Sequence, residues 1–494
     1  MSFRMNKNSM YFIFPLLLGI FFCNELKSQD STCYNDTITP IIHTFLGNWQ
    51  RNFYGYDAPD SLEIIWKLNL GTGETVISRR LGKRIWSGAG WTGQPLLVNE
   101  NNRLFLIQGA YDHHLKKIDA DSGKIIWQYK FDDVIKGTGT IWVNKNTDSI
   151  ENSLVILQGS RLGTSNFLDS KYIPSYRAVS YFTGKELWRF DQKWTSSYSR
   201  DVDGSALILN DTAYIGFENS LFTVFDPDHC NADTINGMFQ PRIFEEHQLY
   251  NNDDVIAHKK NIVTESSPAI LGDRIYVASG AGHVWGYNLK TRTLDWDFFI
   301  GSDMDGSVVV TSDSCILVSV ERQYIRGKGG VFKLNPFKSP EDAVEWYFPV
   351  ENKDFNGWEG GVIGSVGIND HYVKSDSTNL AAFMGIDGYL YVVDHKVIDT
   401  LKMVLGPDSI TSYPTPKLIY KEKVGPSIST PIFTHNKLIA AGYWGISLYN
   451  YSLDNKIVLS DKKSGSFEST PIIYGHRVYI ASRNGYLYCF GDKN

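Results

Sequence analysis

The residues best suited to chemistry are carboxylates that recur at one place in a repeating pattern. Eight segments of the 494-residue chain share two short alternating strands around a tight turn, most plainly ESSPAILGDRIYVAS (265–279) and its near copy ESTPIIYGHRVYIAS (468–482). At the residue that opens each segment the eight read Thr92, Thr138, Asp203, Glu265, Asp305, Ile363, Ile428 and Glu468. Asp203, Glu265 and Asp305 fall in consecutive segments. Asp201, Asp303 and Glu359 lie a few residues upstream, and Trp91 and Trp358 stand in the loops leading into two other segments. Carboxylates that converge on a narrow space repel one another. Their charge must be offset by a cation such as Ca²⁺, by a cationic ligand, or by raised pKa values. The same residues could instead accept backbone N–H bonds at turn starts around a water-filled channel. Spacing leaves both readings open. The metal reading takes Asp203, Glu265 and Asp305, and the ligand reading takes Trp91, Asp201, Asp303, Trp358, Glu359 and Glu468.

Other chemistry is sparsely represented. His113-His114 has no third ligand at useful spacing and reads as a turn-exposed pair. No Gly-x-Ser-x-Gly elbow, phosphate loop or dinucleotide fingerprint stands between a strand and a helix. The cysteines are isolated, with no Cys-x-x-Cys, which argues against zinc.

The elements that must carry these carboxylates are strands. The chain has 43 Gly, 28 Tyr, 27 Phe and 13 Trp, which suit half-buried pleated surfaces joined by tight turns. Beside the first signature runs a second: KKIDADSGKIIW (116–127), RAVSYFTGKELW (177–188) and WGYNLKTRTLDW (285–296), each a hairpin ending in Trp. The eight copies follow one another at 40 to 65 residues. Units of that size with four short strands are propeller blades, and the longer steps predict insertions around 230–262 and 395–418. The eighth unit stops before a fourth strand, while SLEIIWKLNLG (61–71) offers an orphan strand with Trp66 in the docking place. That strand is expected to complete the last blade and close the ring, removing two sheet edges.

The D-x-x-[ST]-G-K-x-x-W element resembles the tryptophan-docking repeat of pyrroloquinoline-quinone-type eight-bladed propellers, over about residues 61–494. The family includes quinoprotein dehydrogenases and non-enzymatic relatives such as the β-barrel assembly lipoproteins. The resemblance implies an all-β, eight-bladed ring, with Trp346 docking in unit five and no docking Trp in units three, six and seven. In the enzymes of the family a Ca²⁺ and the quinone sit at the channel mouth. Ser302-Asp303-Met304-Asp305-Gly306 resembles the segment that supplies their catalytic base, which would make Asp305 the base here. Against an enzyme, the paired adjacent cysteines of many such dehydrogenases are absent, and no Cys-x-x-Cys-His occurs.

Arg4 and Lys7 precede an apolar run from Tyr11 to Cys23, and the pattern predicts a secretory signal over residues 1–28. Phe21 and Phe22 are too bulky beside Cys23 for lipid attachment. Residues 29–60 then form an N-terminal extension and 61–494 a single propeller domain. No later apolar run is long enough to span a membrane. Removing 1–28 shifts the net charge from −6 to −8, which disfavours nucleic acid as a partner. Cys33, Cys230, Cys315 and Cys489 remain, either as one disulfide or as mostly buried thiols. The leading expectation is an exported, non-enzymatic propeller that binds a protein, glycan or small ligand at its channel mouth. A pyrroloquinoline-quinone-dependent alcohol or sugar dehydrogenase is the alternative, and a polysaccharide lyase the third.

Overall fold

Alternating apolar and polar residues between Gly-containing turns give short antiparallel strands throughout. The computed structural model describes residues 38–78, 81–91, 93–162, 174–373, 378–452 and 456–492. The signal segment, Cys33 and Thr92 lie outside these ranges. Eight sheets form the blades of a ring, seven of four strands and one, that of blade 1, of five. Blade 1 runs outward through Leu96–Glu100, Arg103–Gly109, His114–Asp119 and Ile125–Lys130. The innermost strands of blades 2 to 7 are Thr140–Val143, Leu207–Leu209, Ala269–Leu271, Val309–Val310, Gly367–Ile368 and Ile432–Phe433. In blade 8, Ile472–Tyr474, Arg477–Ala481 and Tyr486–Gly491 are completed by Glu63–Asn69, with Trp66 opposite Cys489. The N-terminal strand therefore closes the ring, as its sequence predicts.

The docking tryptophans show how blades interlock. Each donates its indole N–H to a carbonyl of the next blade: Trp66 to Ala120, Trp127 to Tyr181, Trp188 to Pro227, Trp296 to Lys338 and Trp346 to His395, at 2.8 to 3.1 Å. The motif's Gly has a specific task here. Gly123 takes φ +70°, and a Cβ on it would stand 2.7 Å from the Trp66 ring, so only Gly lets the ring seat against the turn.

The expected insertions are a hairpin of Asp233–Ile235 with Met238–Gln240, a short helix Asn252–Ala257, and the long strands Tyr389–Leu405 and Ser412–Lys423. Cys230, Cys315 and Cys489 are free thiols.

Residues 38–58 run through the centre of the ring. Ile38–Ile42 pairs antiparallel with the innermost strand of blade 1. The chain then winds past the other blades and meets backbone groups that have no partner within their own sheet. Ile141 donates to His43 O (2.7 Å), Ile270 to Trp49 O (3.0 Å), Val310 to Gln50 O (3.0 Å) and Ile473 to Tyr54 O (2.9 Å). Ile368 donates to the Tyr54 hydroxyl at 2.9 Å. Gly55 crosses so close to blade 8 that a Cβ would lie 1.5 Å from Ile473 O. Arg51, 0% exposed, donates to Thr44 Oγ1 (2.7 Å), Phe45 O (2.8 Å) and Pro268 O (2.9 Å), all neutral oxygens. Burial without a carboxylate pulls its pKa down to about 9. This segment plugs the channel at the downstream ends of the innermost strands, and the candidate carboxylates lie at the upstream ends.

Candidate functional site at the channel mouth

Each innermost strand and its neighbour form a hairpin whose register can be carried four residues past the last paired residues. Beyond Leu207↔Tyr214 this sets Glu218 opposite Asp203, and beyond Val309↔Leu317 it sets Glu321 opposite Asp305. In blade 8 Arg483 falls opposite Glu468, and in blade 4 Gly280 falls opposite Glu265. In blades 6 and 7 the same places are Ile363 with Ile386 and Ile428 with Tyr443.

The mouth is thus divided into sectors. Blades 3 to 5 are acidic. Blades 6 and 7 are apolar, and there Ile363, Ile386 and Ile428 pack with Trp91, Phe355 and Trp358. Trp91 and Trp358 both pack against this apolar sector. Blade 8 carries an internal ion pair, Arg483 Nη1 to Glu468 Oε2 at 2.9 Å, and Tyr443 donates to the other Glu468 oxygen at 2.8 Å. Asp201 accepts from Arg161 Nε at 2.8 Å, and Glu359 pairs with Arg322 on the rim.

The acidic sector contains two triads, Asp203–Glu218–Glu265 and Asp303–Asp305–Glu321, each with one carboxylate oxygen per residue within 4.8 Å of the others. The sequence identified Asp203, Glu265, Asp303 and Asp305 but missed Glu218, Glu321 and Lys136. The hairpin register was the signal that could have found the two glutamates. Lys136 places Nζ 2.5 Å from Asp203 Oδ2 and 3.7 Å from Glu265 Oε1. Burial alone would strip its proton, but Asp203, Glu218 and Glu265 outweigh that and hold the ammonium charged. Ser199 Oγ donates to Glu218 at 2.5 Å. Burial, with Glu265 adding to it and Lys136 opposing, raises Asp203 to about 7.

The second triad differs. Asn261 donates to Asp303 Oδ2 at 3.0 Å, while Asp303 Oδ1 is buried without a hydrogen-bond partner. Burial, then Asp305, Glu265 and Glu359, pushes Glu321 up to about 9. Asp303 and Asp305 are also raised well above the usual carboxylate range, first by burial and then by their acidic neighbours. Hard oxygen donors converging in this way fit a cation, and Ca²⁺ would be held by Asp303, Asp305 and Glu321 with further oxygens to fill its shell. Pyrroloquinoline quinone, a tricarboxylate, does not fit. The mouth's Arg161, Arg322 and Arg483 are each committed to a carboxylate of the chain, and the quinone's own carboxylates would face the acidic sector.

A hairpin of Thr72–Ser78 with Gly82–Ser87 reaches over one side of this mouth. Thr75 Oγ1 accepts from Arg161 at 3.0 Å, and the Trp86 ring lies between Arg161 (5.7 Å) and Arg483 (5.5 Å).

Residues 59–233 match the family described as outer membrane protein assembly factor BamB. The fold is similar to the crystal structure of BamB from Moraxella catarrhalis, at 11% identity and a TM-score of 0.52, covering 87% of this chain and all of that one. A computationally designed protein, Ika8, is also similar, at 11% identity and a TM-score of 0.46, over 82% of this chain and all of that one. No curated protein matches. The Trp-ended repeat, the eight-bladed ring and the match over residues 59–233 support a pyrroloquinoline-quinone-type eight-bladed propeller repeat.

Proposed function

We propose that the protein is exported and acts as a non-catalytic binding scaffold, engaging a partner protein at the acidic mouth and the loops around it. The observation that carries this reading is the plugged channel. Residues 38–58 block one end, so the ring is not a conduit, and the loops that lead into the innermost strands stand at the other. Exposed aromatics stand at that mouth, Trp194 at 72% and Tyr198 at 59% exposure in the loop leading into blade 3, and Trp444 at 49% in a turn of blade 7. Aromatic side chains around a carboxylate floor suit a basic segment carrying apolar residues. The description of the matched family as an assembly factor is in keeping with a scaffold. Export rests on the basic-then-apolar leader of residues 1–28, and among the described residues no helix is long and apolar enough to cross a membrane.

The test is binding of the chain from residue 29 to arrays of basic, neutral and acidic peptides and of glycans. The expected result is retention of basic peptides, weakened by Trp194→Ala and Tyr198→Ala. Retention of glycans alone, or oxidation of alcohols or sugars after addition of pyrroloquinoline quinone and Ca²⁺, would overturn the reading.

A further inference from the structure

The repeat makes the two acidic triads comparable position by position. Asp203–Glu218 and Asp305–Glu321 occupy equivalent hairpin places two blades apart. For the first pair, the preceding blade delivers a cation. Lys136, two residues before Thr138, sets its ammonium 2.5 Å from Asp203 and 3.7 Å from Glu265. For the second pair the corresponding residue, two before Glu265, is Val263, apolar and 4% exposed. In blade 8 the chain again supplies the cation, through Arg483 at 2.9 Å from Glu468. The blade-5 pair is the one the chain leaves without such a partner among the described residues.

Two buried polar atoms beside it are also unsatisfied. Asp303 Oδ1 belongs to a residue 5% exposed and has no hydrogen-bond partner. Ser319 Oγ, on a residue 1% exposed, has none either. Ser319 shares a strand face with Glu321, and its hydroxyl lies 1.9 Å from where a Cβ on Gly306 would stand, next to Asp305. Buried polar atoms are seldom left unpaired, because each forfeits its hydration. The same Gly306 position lies 2.9 Å from Gly364 O, so the triad adjoins the apolar sector that begins at Ile363.

We propose that Asp303, Asp305 and Glu321 receive one primary alkylammonium from outside the chain, in the place that Lys136 fills beside Asp203. The lysyl side chain of a partner has this chemistry, with its ammonium in the acidic sector and its methylenes toward Ile363. This rests on the binding-scaffold reading and names what the mouth recognises. With one oxygen from each carboxylate, Ca²⁺ would have three of the roughly six to eight oxygens it takes, whereas an ammonium with three donors is matched by three acceptors.

The experiment is thermal melting of the chain from residue 29, in mildly alkaline buffer, with Nα-acetyl-lysine methylamide, spermidine or CaCl₂ as separate probes. A ligand bound only to the native state raises the melting temperature with saturation. The expected result is such a rise with capped lysine, with Asp305→Asn and Glu321→Gln each weakening the apparent affinity about tenfold. Val263→Lys should supply the missing ammonium internally, raising the melting temperature without amine and removing the response to it. If that variant does not fold, the Asp305→Asn series decides. A rise with CaCl₂ alone, no rise with any probe, or an amine response unchanged in Asp305→Asn overturns the inference. A response to spermidine but not capped lysine keeps the triad's role and counts against a protein partner. Basic peptides bound equally by wild type and Asp305→Asn leave the scaffold standing and remove the ammonium site.

Discussion

Glu321 keeps a proton in the folded protein that it would release on unfolding, because its pKa stands at about 9 against an ordinary 4.5. Stability from that difference is fully present below the unfolded value and is lost as pH rises through the folded one. Asp203, raised to about 7, acts with the same sign. The melting temperature of the protein alone should therefore fall between mildly acidic and mildly alkaline pH, and Glu321→Gln should flatten that slope; an equally steep slope in the variant would contradict this. Lys136 offers the complementary case. Lys136→Met leaves Asp203 and Glu218 buried without their cation, and should cost about 3 kcal/mol in denaturant unfolding, as breaking a buried pair from one side does. Glu265 faces both triads, so Glu265→Gln should relieve repulsion and prove neutral or mildly stabilising, with no effect of a chelator on either protein. A chelator that lowered the melting temperature would point to a resident metal instead. Asp203, Glu265 and Asp305 were legible because each opens a segment whose relatives align with it. Glu218, Glu321 and Lys136 were not, since they lie in loops just past or before the strands, where only the paired register reveals their neighbours.

At the scale of elements, the hairpins were legible and the plug was not. Strands with alternating burial between Gly turns declare themselves, as ESSPAILGDRIYVAS does. Residues 43–58 have no such period. They turn through left-handed backbone at Leu46, Gly47, Arg51, Gly55 and Asp57, and beside turn bonds among themselves their hydrogen bonds reach out to seven of the eight blades. What holds them is the row of inner-strand N–H groups, a tertiary fact that no local pattern encodes. Gly55 is the sharpest probe of this element. Gly55→Ala collides with the Ile473 carbonyl and must lift the segment from blade 8, so urea unfolding should show a loss of roughly 2 kcal/mol or more. A variant as stable as wild type would show that the segment does not sit against blade 8.

For the whole molecule, closure by Glu63–Asn69 was legible from the missing fourth strand of blade 8 and the Trp in the orphan strand. The structure adds that the N-terminal region closes the ring twice, as outer strand and as central plug. Deleting residues 29–71 removes both and should abolish a single cooperative melting transition, whereas deleting 29–58 keeps the outer strand and should lower the melting temperature while leaving the ring closed. Equal behaviour of the two truncations would contradict a separate role for the plug. With one end closed, the proposed binding face is the other, where the acidic sector lies beside Trp194, Tyr198 and Trp444. The most direct measurement is therefore site-specific photo-crosslinking in producing cells. A photoreactive residue would replace Tyr198 or Trp194 at the mouth, and Phe337, 64% exposed and away from the mouth loops, as the control. A discrete protein adduct is expected from the mouth positions and not from Phe337. Adducts from Phe337 with none from Tyr198 or Trp194 would contradict that expectation.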